Sequence, residues 1–173
     1  KKSYKIKSSS REYIVEEPMA SGDVSDVYKT VDEQHIVKLS ICSVGNKMLK
    51  NEAKIFHDLN CPLFQNYAPK LVEHFTVKDK NKSVVNVFEN DREVVPFSRI
   101  VNVDGVHACW IFNRLLELIE MLRDYKIAHT AIVPDHVLIN PVMHRIKVVG
   151  WGHATLSKIG PVPAKYADWY PKW

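Results

Sequence analysis

The spacing of apolar positions changes from a two-residue to a helical period and back along the chain, and these changes mark its elements. Tyr13 to Met19 and Val24 to Val31 are β-branched and aromatic runs on either side of Ala20-Ser21-Gly22-Asp23, a pattern that predicts two antiparallel strands and a turn. A second turn, Asp32-Glu33-Gln34, leads into His35-Ile36-Val37-Lys38-Leu39, a third short strand with a lysine inside it. From Asn46 to Leu59 the period is helical. Met48, Ile55 and Leu59 fall on one face with Leu49, Ala53 and Phe56 beside them, and Glu52 is the one charged member of the stripe. A loop is expected from Asn60 to Pro69, followed by strands Lys70 to Val77 and Ser83 to Phe88 around the polar turn Lys78 to Lys82.

The second half opens on a long amphipathic helix. Asp104 is its expected N-cap, and Ala108, Ile111, Phe112, Leu115, Leu118, Ile119 and Leu122 are its expected buried face. Two short strands, Val137 to Ile139 and Ile146 to Val149, flank the turn Asn140 to Arg145, and the tail from Gly160 to Trp173 reads as an ordered loop rich in proline and aromatics. No internal repeat interrupts this order. The pattern predicts an α+β fold: residues 1–12 a flexible N-terminal segment, 13–89 a five-stranded antiparallel lobe with one helix, and 90–173 a helical lobe joined near Glu89 to Asp91.

Composition narrows the function classes. The chain has 173 residues, 46% of them apolar and 25% charged, which suits one globular domain and rules out disorder. The densest apolar run, Ala108 to Leu122, is broken by Asn113, Arg114, Glu117 and Glu120, so it cannot span a bilayer. With 24 basic and 20 acidic residues the net charge is +4, too small to demand nucleic acid, which is not an expected partner. Cys42, Cys61 and Cys109 form no C-x-x-C pair and are odd in number, which points to a reducing, cytoplasmic setting and to no structural zinc. The basic start carries neither signal-peptide core nor initiator Met, so the chain is expected to be a piece of something longer.

Strand, glycine turn, strand, strand with lysine, helix with an inward glutamate, hairpin, long helix and two short strands resemble, in that order, the protein kinase fold. Family members close a G-x-G-x-x-G loop over the phosphates, hold them with a third-strand lysine, and pin that lysine with a helix glutamate. Here Ala20-Ser21-Gly22-Asp23-Val24-Ser25 keeps the middle glycine alone and has Ser25 at the last glycine position, while His35-Ile36-Val37-Lys38 and Glu52 have the shape of the pair. The segment Ile127 to Asn140 matches H-R-D-L-K-P-E-N-L-L-I in register: His129 falls on the histidine, but Ala131 replaces the catalytic aspartate and His136 the metal-binding asparagine. In the D-F-G position stand Gly150, Trp151 and Gly152, so the metal-binding aspartate is missing there too. The two motifs His129-Thr-Ala-Ile-Val-Pro-Asp-His-Val-Leu-Ile139 and Tyr166-Ala-Asp-Trp-Tyr-Pro171 are similar to those of divergent kinase-like domains of bacteria and their phages. The resemblance covers the chain from Tyr13 onward and implies a helical lobe truncated near the A-P-E position, where Tyr170-Pro171-Lys172 stands.

The resemblance implies a pseudokinase that acts as a regulatory or protein-binding module without a catalytic residue. Its nucleotide site would comprise Gly22, Lys38, Glu52 and Glu89, taking ATP weakly and with little dependence on magnesium, because His136 and Gly150 offer no oxygen ligand. Its partner would be another protein or the remainder of the helical lobe. An atypical active kinase using Asp135 or Asp168, and a scaffold without nucleotide, are the alternatives. At the residue level an ordinary hairpin turn at Gly22 and a surface Lys38 with a rim Glu52 stay open. His107, Cys109, His129, His136, His144 and His153 lack the i, i+4 spacing of a metal site. Trp110, Trp151, Trp169 and Trp173 beside Lys147, Lys158, Lys165 and Lys172 read as packing rather than as a stacking surface for bases.

Overall fold

The structure, a computed structural model, describes residues 3–59, 61–156 and 163–169. The chain divides into two compact units, Lys1–Phe56 with Pro69–Asp91, and His57–Ala68 with Arg92–Trp173. The chain thus passes from one unit to the other just beyond Glu89, and segment 57–68, expected in the first lobe, belongs with the second.

The first unit is built on a five-stranded antiparallel sheet. Its strands are β3 (Ala20–Ser21), β4 (Ser25–Lys29), β5 (His35–Ser40), β6 (Leu71–Thr76) and β7 (Val84–Glu89), in the order β3-β4-β5-β7-β6. The segment expected to be flexible, 1–12, instead contributes a strand. Tyr4–Lys7, β1, pairs antiparallel with β2, Glu12–Val15. The reason is legible in Lys5-Ile6-Lys7: Ile6 is buried while Lys5 and Lys7 both reach Glu12. The strand expected over Tyr13 to Met19 is divided, with Pro18 between β2 and β3; a proline has no N–H to give a ladder.

Strand alternation then gives the sheet two apolar faces. Val37, Val85 and Val87 pack with Ile6, Tyr13 and Val15 of the hairpin, joined by Tyr28, Leu39 and Phe75. The opposite face, with Phe88 against Phe56, receives α1, Ser43–Asp58. Gly45 of α1 lies so close to the β3–β4 turn that a Cβ there would stand 2.0 Å from the Val24 carbonyl oxygen. That same oxygen accepts from the Ile41 N–H at 3.0 Å, so the helix start is pinned to the turn.

In the second unit the expected loop 60–69 holds α2, Pro62–Tyr67. Pro62 opens it where the missing N–H costs nothing, and Phe64 and Tyr67 are buried. Helix α3, Gly105–Asp124, is capped as expected: the Asp104 carboxylate accepts from the His107 N–H at 2.9 Å, which holds it below the usual carboxylate range. Its buried face is narrower than expected. Ile111, Leu118 and Leu122 are buried together with Met121, but Ala108 is exposed, as are Phe112 at 60% and Ile119 at 47%. Periodicity finds an apolar stripe; its covered width depends on neighbours, here α2 and the strands Ile127–Ala128 and Arg145–Val148.

The remaining strands are short. Val95–Pro96, β8, pairs with β10, Val137–Asn140, which pairs with β11, Arg145–Val148. Ile127–Ala128, β9, pairs with β12, Thr155–Leu156. Of the tail, Ala164–Trp169 forms a 3-10 helix, whereas the expected positions Lys158, Gly160, Tyr170, Pro171, Lys172 and Trp173 lie outside the described residues. No helix among the described residues is long and apolar enough to cross a membrane.

Candidate functional site

In the first unit, Lys38 and Glu52 meet. Lys38 sits on the α1 face of β5, and its Nζ lies 3.0 Å from Glu52 Oε1. Glu52 is 2% exposed and the Lys38 side chain 19%, which excludes a surface lysine and a rim glutamate. A carboxylate so buried needs more than one partner, because desolvation otherwise exceeds the attraction of the pair. The second partner is Asn86, directly opposite Lys38 in the β5–β7 register. Its amide nitrogen donates to Glu52 Oε2 at 2.9 Å and to the Leu49 carbonyl at 3.0 Å, while its oxygen accepts from His74 Nδ1 at 2.6 Å. Asn86 is fully buried. It was readable as the lone polar residue in Val84-Val85-Asn86-Val87-Phe88, since an amide inside an apolar strand must be hydrogen-bonded.

The glycine turn is ordered by its own backbone. Gly22 N–H donates to the Ser25 carbonyl at 3.0 Å, and a Cβ at Gly22 would meet nothing closer than 3.5 Å. Gly22 also lies outside the left-handed region, so the fold does not demand glycine there. Ser25, at the expected last glycine position, is buried on β4 opposite Ser40. Glu89 ends β7 and makes an exposed ion pair with Lys70 at 2.6 Å. Its N–H donates to the Lys70 carbonyl and that of Asn90 to the Gln34 carbonyl, so both donors are committed to the unit itself.

In the second unit the residues expected at the catalytic-loop and D-F-G positions form a closed cluster. His129, buried, donates from Nε2 to the Val149 carbonyl at 3.1 Å and accepts the Ala131 N–H on Nδ1 at 3.3 Å, so its proton is on Nε2. Thr130 between them has φ +61°, an unfavourable conformation for a β-branched residue, and its hydroxyl donates to the His153 carbonyl at 2.8 Å. Ala131 is fully buried, and its carbonyl accepts from His136 Nδ1 at 2.7 Å. The His136 ring lies against Gly150, which has φ +84°: a Cβ at Gly150 would stand 2.7 Å from His136 Cε1 and Nδ1. The Tyr166 hydroxyl approaches His136 Nε2 at 3.4 Å, and its ring stands edge-on to that histidine.

Trp151 turns into the core of this unit rather than into open space. It is fully buried, its Nε1 donates to the Val148 carbonyl at 2.7 Å, and its ring meets Phe64 and His129 edge to face at 5.0 and 4.4 Å between centroids. Gly152 is buried beside it. Asp135 and Asp168, the alternative acidic residues, are both exposed. Among the described residues no group of three or more His, Cys, Asp and Glu side chains could hold a metal ion.

The chemistry open to these groups follows from their atoms. Lys38 is a cation that could meet a phosphate if it left Glu52. Ala131 has no acceptor, and Gly150 has neither a ligand atom nor room for one. No protein-family model matches the chain, and no curated protein matches it.

Proposed function

We propose that this chain is a kinase-like pseudokinase domain, working in the cytoplasm by binding a protein partner rather than by transferring a phosphoryl group. The observation that carries the reading is the His136–Gly150 contact. Where the resemblance expects two metal ligands, an imidazole ring fills the space a side chain at Gly150 would need, and the ring's own nitrogen is bonded to the Ala131 carbonyl. A transferring phosphoryl group needs a cation or donors to neutralise its charge and a base to take the hydroxyl proton. Gly150 and Ala131 carry no such group, and the His136 ring is committed at Nδ1 to the Ala131 carbonyl and faced at Nε2 by the Tyr166 hydroxyl.

The Lys38–Glu52 pair supports a kinase-like rather than an unrelated reading, and leaves one group able to receive a phosphate. On this reading ATP binds weakly through Lys38 and the Gly22 turn, without requiring magnesium. Of the apolar strand residues that could wall a purine, Phe88 is packed on Phe56 within the first unit and Ile36 is half-buried. A nucleotide-free scaffold is the second reading, favoured by Lys38 already being paired and by Asn86 holding Glu52 in place.

A thermal-shift titration with ATP, with and without magnesium, separates the readings. A ligand at a hundred times its dissociation constant stabilises by about 2.7 kcal/mol, so even millimolar nucleotide gives a readable rise if binding is in the micromolar range. A small rise independent of magnesium and absent in Lys38→Met supports weak nucleotide binding. No rise supports the scaffold, and a rise that depends steeply on magnesium defeats the proposal.

A further inference from the structure

The structure brings two lysine-bearing segments of the first unit together that lie well apart in sequence. On α1, Lys47, Lys50 and Lys54 recur at helical spacing on the face opposite the buried Leu49, Glu52 and Ala53, along about 10 Å of helix, and all three are exposed. The turn between β6 and β7 carries Lys78, Lys80 and Lys82, also exposed. The Asn46 amide of α1 donates to the Asn81 carbonyl in the middle of that turn at 3.1 Å, and Asn46 Oδ1 accepts from the Val84 N–H at 3.1 Å. The turn is further shaped by Asp79, whose carboxylate accepts from the Ser83 N–H at 2.9 Å. The lysines are therefore carried on two segments held to each other, and against these six lysines the exposed carboxylates of α1 and the turn are two, Asp58, one helical turn beyond Lys54, and Asp79.

We infer that this face of α1 and the β6–β7 turn is a docking surface for an acidic polypeptide segment. Charge complementarity calls for a polyanion, and three features favour a peptide over nucleic acid. Residues 43–56 and 77–83 hold no arginine for bidentate phosphate contacts and no exposed aromatic on which a base could stack. The net charge of the chain, +4, is small for a nucleic-acid binder. Exposed Ile41 and Val44 at the start of α1 add aliphatic surface, which a peptide side chain can cover and a phosphate backbone cannot. The inference stands on this patch alone and holds whether or not the kinase-like reading does.

The test is fluorescence anisotropy of the full chain with a fluorescein-labelled peptide of Glu-Glu-Leu repeats, at salt from about 0.05 to 0.5 M. Binding should weaken with salt, and reversing Lys47, Lys50 and Lys80 to Glu should raise the dissociation constant at least ~10-fold. These positions are solvated, so circular dichroism and thermal midpoint should be unchanged. A control that reverses Arg99, Lys126 and Arg145 in the second unit alters net charge equally and should bind almost as the parent. No binding by the parent chain overturns the inference, as does equal weakening in the control. A duplex DNA of comparable charge that binds as tightly as the peptide overturns it in favour of nucleic acid.

Discussion

Gly150 and His136 exchange space at the scale of a single side chain. A left-handed backbone tolerates aspartate at a cost of about 1 kcal/mol, but Gly150→Asp also drives its Cβ into the His136 ring, so the total should reach about 2 kcal/mol or more. With His136→Ala in the background the same substitution should cost only the backbone part. Urea unfolding of the four variants measures the coupling, and equal costs in both backgrounds would show that the ring does not occupy that space. Asn86→Leu should be severe for another reason. It strands Glu52 Oε2 and the Leu49 carbonyl, and is expected to cost about 2–4 kcal/mol by the same measurement. Replacing Lys38, Glu52 and Asn86 together by Met, Leu and Leu should recover much of that loss, since no charge is then left buried.

Two element-scale contacts carry signed expectations. In an exposed helix interior Gly→Ala stabilises by up to about 1 kcal/mol, yet Gly45→Ala should lower the thermal midpoint, because the new methyl meets the Val24 carbonyl at 2.0 Å. A higher midpoint would mean that α1 and the glycine turn separate freely. The β1–β2 hairpin is fastened to the sheet by the Tyr13 hydroxyl, which donates to Glu73 Oε2 at 2.6 Å. Burial, then the bond to Glu73, pushes Tyr13 up to about 12 from 10. The folded state therefore keeps a proton that the unfolded chain releases, and the stabilisation is complete below pH 10 and lost as pH rises towards 12. Burial alone would raise Glu73, but hydrogen bonds from Tyr13, Ser8 and Ser10 outweigh it and hold its carboxyl below the usual range; its contribution is lost as pH falls through that lowered value. Tyr13→Phe should lessen the alkaline loss, to which Tyr28 and Tyr67, also raised by burial, still contribute; it is read as unfolding free energy at pH 9 against pH 11, and a variant that loses as much as the parent would refute the assignment.

At the scale of the whole molecule, the proposed reading expects no phosphoryl transfer. Radiolabelled ATP incubated with the chain and generic protein substrates should leave label at background, and transfer abolished by Lys38→Met would sink that expectation. The sheet-forming first half, the inward phase of Glu52, the capped start of α3 and the absence of an acceptor at Ala131 are legible in residue order alone, because each is local: a period of two or of 3.6, a cap, a missing carboxylate. Long-range packing, by contrast, makes Asn86 complete the Lys38–Glu52 pair, His136 fill the space beside Gly150, β1 a strand, and Phe112 and Ile119 face outward. These depend on which residues distant in sequence come to share a surface. Burial, which sets the energy of a charge or an apolar ring, is a property of neighbours and not of position in the chain.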